Sequence, residues 1–251
     1  MVLPRVVDSH PTVRFLTPMG AGATSTGRLS RTDAEWLDRD GYLLLRDAVP
    51  AAWVEPLRAA FDAGELANDR WPVPRGPGWR HALVDLDPVV RKVCRLPALL
   101  AGAAHLLGAP FFVMQVEGRE PRMGGGAQAL HRDGGDPALT QFVAALVFLD
   151  PFGPANGATA VAAGTHRGEG LDAPAGQARP DAKVLRGEAG DVLLFDASVL
   201  HGATCNDSGA RRRSLLVNYA LETLRADHER TLAVRSVRMD TSETFEPAGT
   251  G

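Results

Sequence analysis

The chain has 251 residues, a formal net charge of −3 and 45% apolar residues. That length suits one large domain or a domain with an extension, and the apolar share suffices for a sizeable core. The charge gives no chain-wide electrostatic case for nucleic acid, and no run reaches the roughly 18 apolar residues of a membrane span.

Residues 1–29 carry scattered Gly, Pro, Ser and Thr without periodicity and are expected to form a flexible arm. Thr32-Asp-Ala-Glu35 has the form of a capping box, which opens a helix through about Asp40 that Gly41 ends. Tyr42–Arg46 reads as a strand. Pro50 starts a second helix, with Trp53, Val54, Leu57, Ala60 and Phe61 near helical spacing. A third helix is expected from Pro88 to Leu107, stopped by Gly108.

Beyond Gly108 the pattern changes to short β-like segments separated by Gly and Pro. They are Phe111–Glu117, Phe142–Leu149, Ala158–Ala162, Lys183–Arg186, Asp191–Phe195 and Ser214–Leu221. Such spacing predicts a sandwich or barrel. Helices first and strands after predict helices on one outer face. The expected fold is mainly β with α, a double-stranded β-helix of the cupin-like jelly-roll type with helices packed on one face. One domain is expected over 30–230, mostly helical over 30–110 with its jelly-roll core over 111–222. Gly164–Pro180 reads as a surface loop, and 231–251 as a C-terminal segment with a loose tail from Asp240.

The chemistry-bearing feature is His131-Arg132-Asp133, followed 68 residues later by His201. His131 and Asp133 stand at i and i+2, so in extended backbone they share one face. Two imidazoles and a carboxylate can occupy one face of octahedral Fe(II) and leave three positions open. The triplet alone is more often a polar turn, because Gly134-Gly135 follows, and a lone His201 at a strand end is more often structural. Arg211, Arg212 and Arg213 precede an apolar run, and a cation deep in a sheet requires an anionic partner. Alternation puts Arg212 and Ser214 on one face and Arg211 and Arg213 on the other, solvent-facing side.

Read in order, these segments resemble the phytanoyl-CoA dioxygenase family of Fe(II)/2-oxoglutarate oxygenases. Arg119-Glu-Pro with Gly125–Asp133 matches the stretch that brings in the family's first two iron ligands. Asn156–His166 is similar to its "NG…V.PGSH" stretch, with Ala163 where the family usually has Pro. Gly190–Phe195, His201-Gly202, Asn206 and Arg212 follow its C-terminal signature. The resemblance covers about 30–222 and implies His131, Asp133 and His201 as ligands of Fe(II). It selects Arg212, eleven residues after the distal histidine, for the 2-oxoglutarate carboxylate. Gln128 and Thr159 are candidate polar contacts to the same cosubstrate, with ordinary sheet hydrogen bonding the alternative. His166 is expected near the surface and away from the metal. His10, His81, His105 and His228 receive no functional role.

The resemblance implies oxidative decarboxylation of 2-oxoglutarate to succinate coupled to C–H oxidation. Hydroxylation is the default, with desaturation or cyclisation as alternatives. Asp133 argues against halogenation, since related halogenases carry a small residue there. A different metalloenzyme on the same scaffold and an inactive cupin-like binding protein are the competing readings. The expected partner is a small molecule, a bacterial natural product ahead of an acyl-CoA, with no nucleic acid and no membrane. Residues 67–82, rich in Trp, Pro and Arg, are a candidate lid or an ordinary surface loop. Met1–Asp8 lacks a leader's apolar core, and Cys94 and Cys205 read as free thiols, so a cytoplasmic location is expected.

Overall fold

The computed structural model describes residues 29–134 and 139–247. The expected arm over 1–29 lies outside the described residues except for its last residue. Helix α1 (Arg31–Asp40) is capped by Ser30, whose hydroxyl accepts from Asp33 N at 3.1 Å. The cap is thus Ser30 and not the Thr32 of the capping-box reading. Gly41 ends α1 in the left-handed region, at φ 77°, where a Cβ would also meet the His166 ring. Strand β1 (Tyr42–Leu45) and helix α2 (Ala51–Gly64) follow as expected.

Strand β2 (Glu65–Leu66) precedes β3 (Trp79–Ala82), which falls within the candidate lid segment. The single helix expected over 88–107 is two helices, α3 (Pro88–Val93) and α4 (Pro97–Leu107). Pro97 explains the break: its ring excludes the preceding turn and it lacks the N–H a continuous helix needs. Gly108 stops α4 with φ 61°.

Strand β4 (Phe111–Pro121) runs four residues beyond its expected end. Next come β5 (Gln128–His131), β6 (Phe142–Phe148), β7 (Thr159–Ala162), β8 (Lys183–Val184), β9 (Val192–Asp196), β10 (Leu200–Ala203) and β11 (Ser214–Leu221). A last helix, α5 (Arg225–Thr231), has no counterpart in the expectation.

The strands form two antiparallel sheets. One is ordered β1-β9-β6-β11-β4-β3-β2 and the other β5-β10-β7-β8. The central strands read as continuous apolar runs because both faces of the larger sheet are covered. In β6, Val143, Ala145 and Val147 pack with Leu57 and Phe61 of α2 and Leu99 and Ala103 of α4. The alternate residues Ala144, Leu146 and Phe148 pack with Phe195 and Leu216 of the same sheet and Val161 of the other. Period-two alternation therefore separates a helix-facing core from an inter-sheet core. This is the double-stranded β-helix, with its helices on the outer face of the larger sheet.

The tail from Asp240, expected loose, is tied down as far as it is described. Phe245 exchanges backbone hydrogen bonds with Phe111 at 3.0 and 2.7 Å, and the two rings stack at 5.5 Å. Upstream, the buried Asp85 carboxylate accepts from the backbone N–H groups of Arg238 and Met239 at 2.6 and 2.9 Å. Phe245→Ala should lower stability by about 1–2 kcal/mol, the worth of a half-buried aromatic contact. It should also deprotect the Phe111 and Phe245 amides in hydrogen exchange. Unchanged protection of both amides would contradict the pinned tail.

Candidate active site

The inner face of the smaller sheet positions the first group of residues. His201 of β10 lies directly opposite His131 of β5, and its other neighbour is Val161 of β7. The rings are 4.4 Å apart at their centroids. Each histidine turns its Nδ1 to a carbonyl two residues earlier, His131 to Ala129 O at 2.8 Å and His201 to Val199 O at 3.0 Å. Nδ1 is therefore the protonated nitrogen in the neutral ring, and both Nε2 lone pairs are left bare. Asp133, fixed by its backbone N–H to Ala197 O at 2.9 Å, closes the triangle. Its two oxygens lie 3.6 Å from His131 Nε2 and 3.5 Å from His201 Nε2.

The three groups thus offer ligand atoms within 4.8 Å of one another, a set that can hold one metal ion. Burial pushes the Asp133 carboxyl up, but the hydrogen bond and charge that His201 supplies when protonated, with the charges of His131 and Arg119, bring it below its ordinary value. It is a carboxylate at neutral pH.

A β-bulge sets the rest of this face. The β5–β10 register shifts between His201 and Ala203, so Gln128, three residues before His131, still faces the cavity. At the shift stands Gly202, where a Cβ would sit 2.6 Å from Gln128 O and 3.1 Å from Ala129 O. Ala203 has Gln128 beside it on β5 and Thr159 on β7, and all three line the cavity.

The larger sheet supplies the opposite wall. Ser214 pairs with Arg119, and Leu216 with Glu117, so these side chains point inward with Arg212. Arg212 is 2% exposed and lines the same cavity as His131, Asp133 and His201. Its guanidinium rests on the rings of Phe152 at 4.4 Å and Trp79 at 5.6 Å. Its buried Nε has no hydrogen-bond partner, and it forms no ion pair among the described residues. Burial drives its pKa from the usual 12.5 down to about 9, so it remains a cation at neutral pH. A buried cation with unsatisfied donors fits a carboxylate-bearing cosubstrate arriving from outside.

The alternation expected of the arginine run holds: Arg211 is exposed as expected, Arg213 is largely covered, and both are tied to protein carboxylates. Arg211 forks onto the Glu120 carboxylate with two contacts of 2.8 Å. Arg213 grips Asp150 through its backbone N–H, Nε and Nη2, each at 2.9 Å, and Asp62 through Nη1 at 2.9 Å. Their acidic partners lie on α2, β4 and the turn after β6, too distant in sequence for local reading.

His166, expected near the surface, is buried at 7% exposure under Gly41 and stands outside the cavity lining. Trp79, from the candidate lid segment, lines the cavity, and so does Arg119, which the sequence placed only in the motif stretch before the first ligands. Pairing parity along β4 and β11 is the signal that would have found Arg119.

The fold and the His/Asp/His triangle define a class, and comparison with known proteins gives the family. The phytanoyl-CoA dioxygenase family model matches residues 37–214. The dioxygenase cdmA of Talaromyces verruculosus is 31% identical over 216 residues, covering 73% of this chain and 70% of that protein. Among solved structures, HygX from Streptomyces hygroscopicus with nickel, 2-oxoglutarate and hygromycin B superposes with a TM-score of 0.63 at 18% identity, covering 77% of this chain and 88% of that one. The 2-oxoglutarate-dependent carbocyclase SnoK from nogalamycin biosynthesis gives 0.62 at 20% identity, covering 77% and 84%. At those identities the structures establish the fold. The chain belongs to the phytanoyl-CoA dioxygenase family of iron- and 2-oxoglutarate-dependent oxygenases.

The lone buried charge makes a prediction for the unliganded chain. Arg212→Met keeps the side-chain volume and removes an uncompensated cation, so thermal denaturation should show no loss of stability and a gain of up to about 2 kcal/mol. A loss of about 2 kcal/mol or more would mean that the guanidinium is already satisfied by the protein.

Proposed function

We propose that this chain oxidises a C–H bond of a small organic substrate, with hydroxylation the default outcome. In this reading it uses Fe(II) held by His131, Asp133 and His201, and 2-oxoglutarate held by Arg212. One observation carries it: three metal-competent side chains and one buried arginine, without an ion pair among the described residues, face each other across the same inter-sheet cavity. Within the chain's own residues, only Arg212 separates this reading from another metal-dependent reaction on the same scaffold.

Fe(II) with bound 2-oxoglutarate supplies O2 activation coupled to decarboxylation to succinate. The protein's part is positional. The two carbonyl bonds at Nδ1 hold both imidazoles with their Nε2 lone pairs inward. Asp133 contributes the single negative charge of the set. Arg212 fixes the distal carboxylate through its planar fork. Leu146, Phe195 and Leu216 wall the cavity with apolar surface and keep its dielectric low. Gln128 and Thr159, flanking Ala203 on either side, are placed to donate to cosubstrate oxygens.

A natural product is the substrate class we favour over an acyl-CoA. One of the compared structures holds hygromycin B and another comes from nogalamycin biosynthesis. The carbocyclase among them illustrates that ring closure is open to this scaffold as well. Among the described residues no helix is long and apolar enough to cross a membrane. Cys94 and Cys205 are both free, in keeping with the reducing cytoplasm we assign.

Equilibrium binding of Fe(II) under argon should reach one ion per chain. His131→Ala or His201→Ala should abolish it, while retained stoichiometry in either variant would refute that ligand. Arg212→Ala should weaken 2-oxoglutarate by roughly tens to thousands-fold, the usual range for one side of a buried charge pair. Arg211→Ala, whose side chain belongs to the Glu120 pair on the other face, should leave that affinity nearly unchanged. Under 18O2 with chloride present, the substrate should gain labelled hydroxyl alongside succinate. A chlorinated product would contradict the role given to Asp133.

A further inference from the structure

The metal-side cavity adjoins a second one. Pro74, Arg75, Trp79, His81, Arg119 and Gln128 line this outer cavity, and Trp79, Arg119 and Gln128 belong to both. Pairing parity explains the meeting. His81 pairs with Arg119 and Trp79 with Pro121, so Trp79, His81, Arg119 and Glu117 all face inward from β3 and β4.

The charges in this outer cavity do not balance. Glu117, 5% exposed, sits behind the lining and takes Arg119 Nε at 2.5 Å and Arg75 Nη2 at 2.9 Å. One carboxylate therefore serves two guanidiniums. Among the described residues, no acidic one lines the outer cavity itself. His81 adds no charge at neutral pH, because burial brings it down to about 4. The charge of Arg119 also reaches Asp133, on the metal side.

Both guanidiniums are held ready. Arg75 lies over the Trp71 ring at 4.6 Å, and Trp71 is itself 4% exposed. Arg119 holds Glu117 through Nε, and its two terminal nitrogens have no partner among the described residues. Two fixed guanidinium forks sharing one buried carboxylate make a site for an incoming oxyanion.

We propose that the substrate is an organic acid. Its carboxylate, phosphate or sulfate sits on Arg75 and Arg119 in the outer cavity, and its flat apolar body runs along Trp79 toward the His131/Asp133/His201 triangle. The direction of that body rests on the oxygenase reading; the anion subsite does not. Arg212 is a separate site, buried deeper and reserved in that reading for the cosubstrate.

The test titrates the full chain with naphthalene-2-carboxylate, 2-naphthyl phosphate and the neutral 2-naphthamide, following tryptophan fluorescence. Each titration is run with and without Ni(II) and 2-oxoglutarate. The proposal expects at least one anion to bind about tenfold or more tighter than the amide. Whichever anion binds tighter identifies the headgroup. Arg75→Gln and Arg119→Gln should each erase most of that preference, and Arg75→Lys should retain part of it. Arg75→Gln should leave 2-oxoglutarate affinity unchanged. Circular dichroism melts check folding, and Arg75, on the loop before β3, carries the test if Arg119→Gln does not fold. Absence of any anion preference in the native chain, or its persistence in Arg75→Gln, overturns the proposal. A loss of 2-oxoglutarate affinity in Arg119→Gln equal to that of Arg212→Ala also overturns it, by moving Arg119 to the cosubstrate site. Failure of the native chain to bind 2-oxoglutarate, with the anion preference intact, would sink the oxygenase reading and leave the subsite standing.

Discussion

The buried guanidinium of Arg212 is the constraint around which the rest of the site is arranged. A cation at 2% exposure with an unpartnered Nε is costly unless an anion meets it. Phe152 and Trp79 soften that cost through their ring faces and cannot replace a carboxylate. The two neighbouring arginines, by contrast, have protein carboxylates of their own. The fold thus satisfies Arg211 and Arg213 internally and leaves Arg212 to the cavity. A folded chain that keeps such a charge has a use for it beyond stability.

The sheets make this separation possible. In β11 and the residues just before it, parity sends Arg212, Ser214 and Leu216 toward the smaller sheet and Arg211, Arg213 and Leu215 toward the helices. The same parity in β3 and β4 gathers Trp79, His81, Arg119 and Glu117 on the cavity side and Arg80, Ala82 and Glu120 on the helix side. Across the gap, β5 and β10 present His131 and His201 as direct register partners. The bulge in β5 opposite Gly202 adds Gln128 to the same face. Rigid strands, and not loops, hold most of the polar groups, which suits a site that must place a metal, a cosubstrate and a substrate together.

Much of this was legible in the sequence, and the omissions have physical reasons. The central strands stand out because a sheet covered on both faces needs unbroken apolar runs. Arg212 was separable from its neighbours by alternation and motif spacing together. The helix over 88–107 failed at Pro97, whose effect on the preceding turn outweighed the apolar continuity. Strands β3, β5 and β10 are too short and too polar for periodicity to announce, because their residues serve the cavity. The partners of Arg211 and Arg213, the burial of His166 against Gly41 and the pinning of Phe245 on Phe111 are all contacts between distant segments. Local pattern carries no information about them.

The most direct test of the account is a double-mutant cycle between Arg212 and the distal carboxylate of the cosubstrate. Affinities of 2-oxoglutarate and of 2-oxopentanoate, which lacks that carboxylate, are measured by calorimetry under argon with Fe(II) for the native chain and for Arg212→Met. The account predicts that the native chain prefers 2-oxoglutarate by about thirtyfold or more, as a buried charge pair requires. It predicts that Arg212→Met binds the two acids with nearly equal affinity. An undiminished preference in the variant would contradict the central claim and place the cosubstrate's carboxylate on another residue.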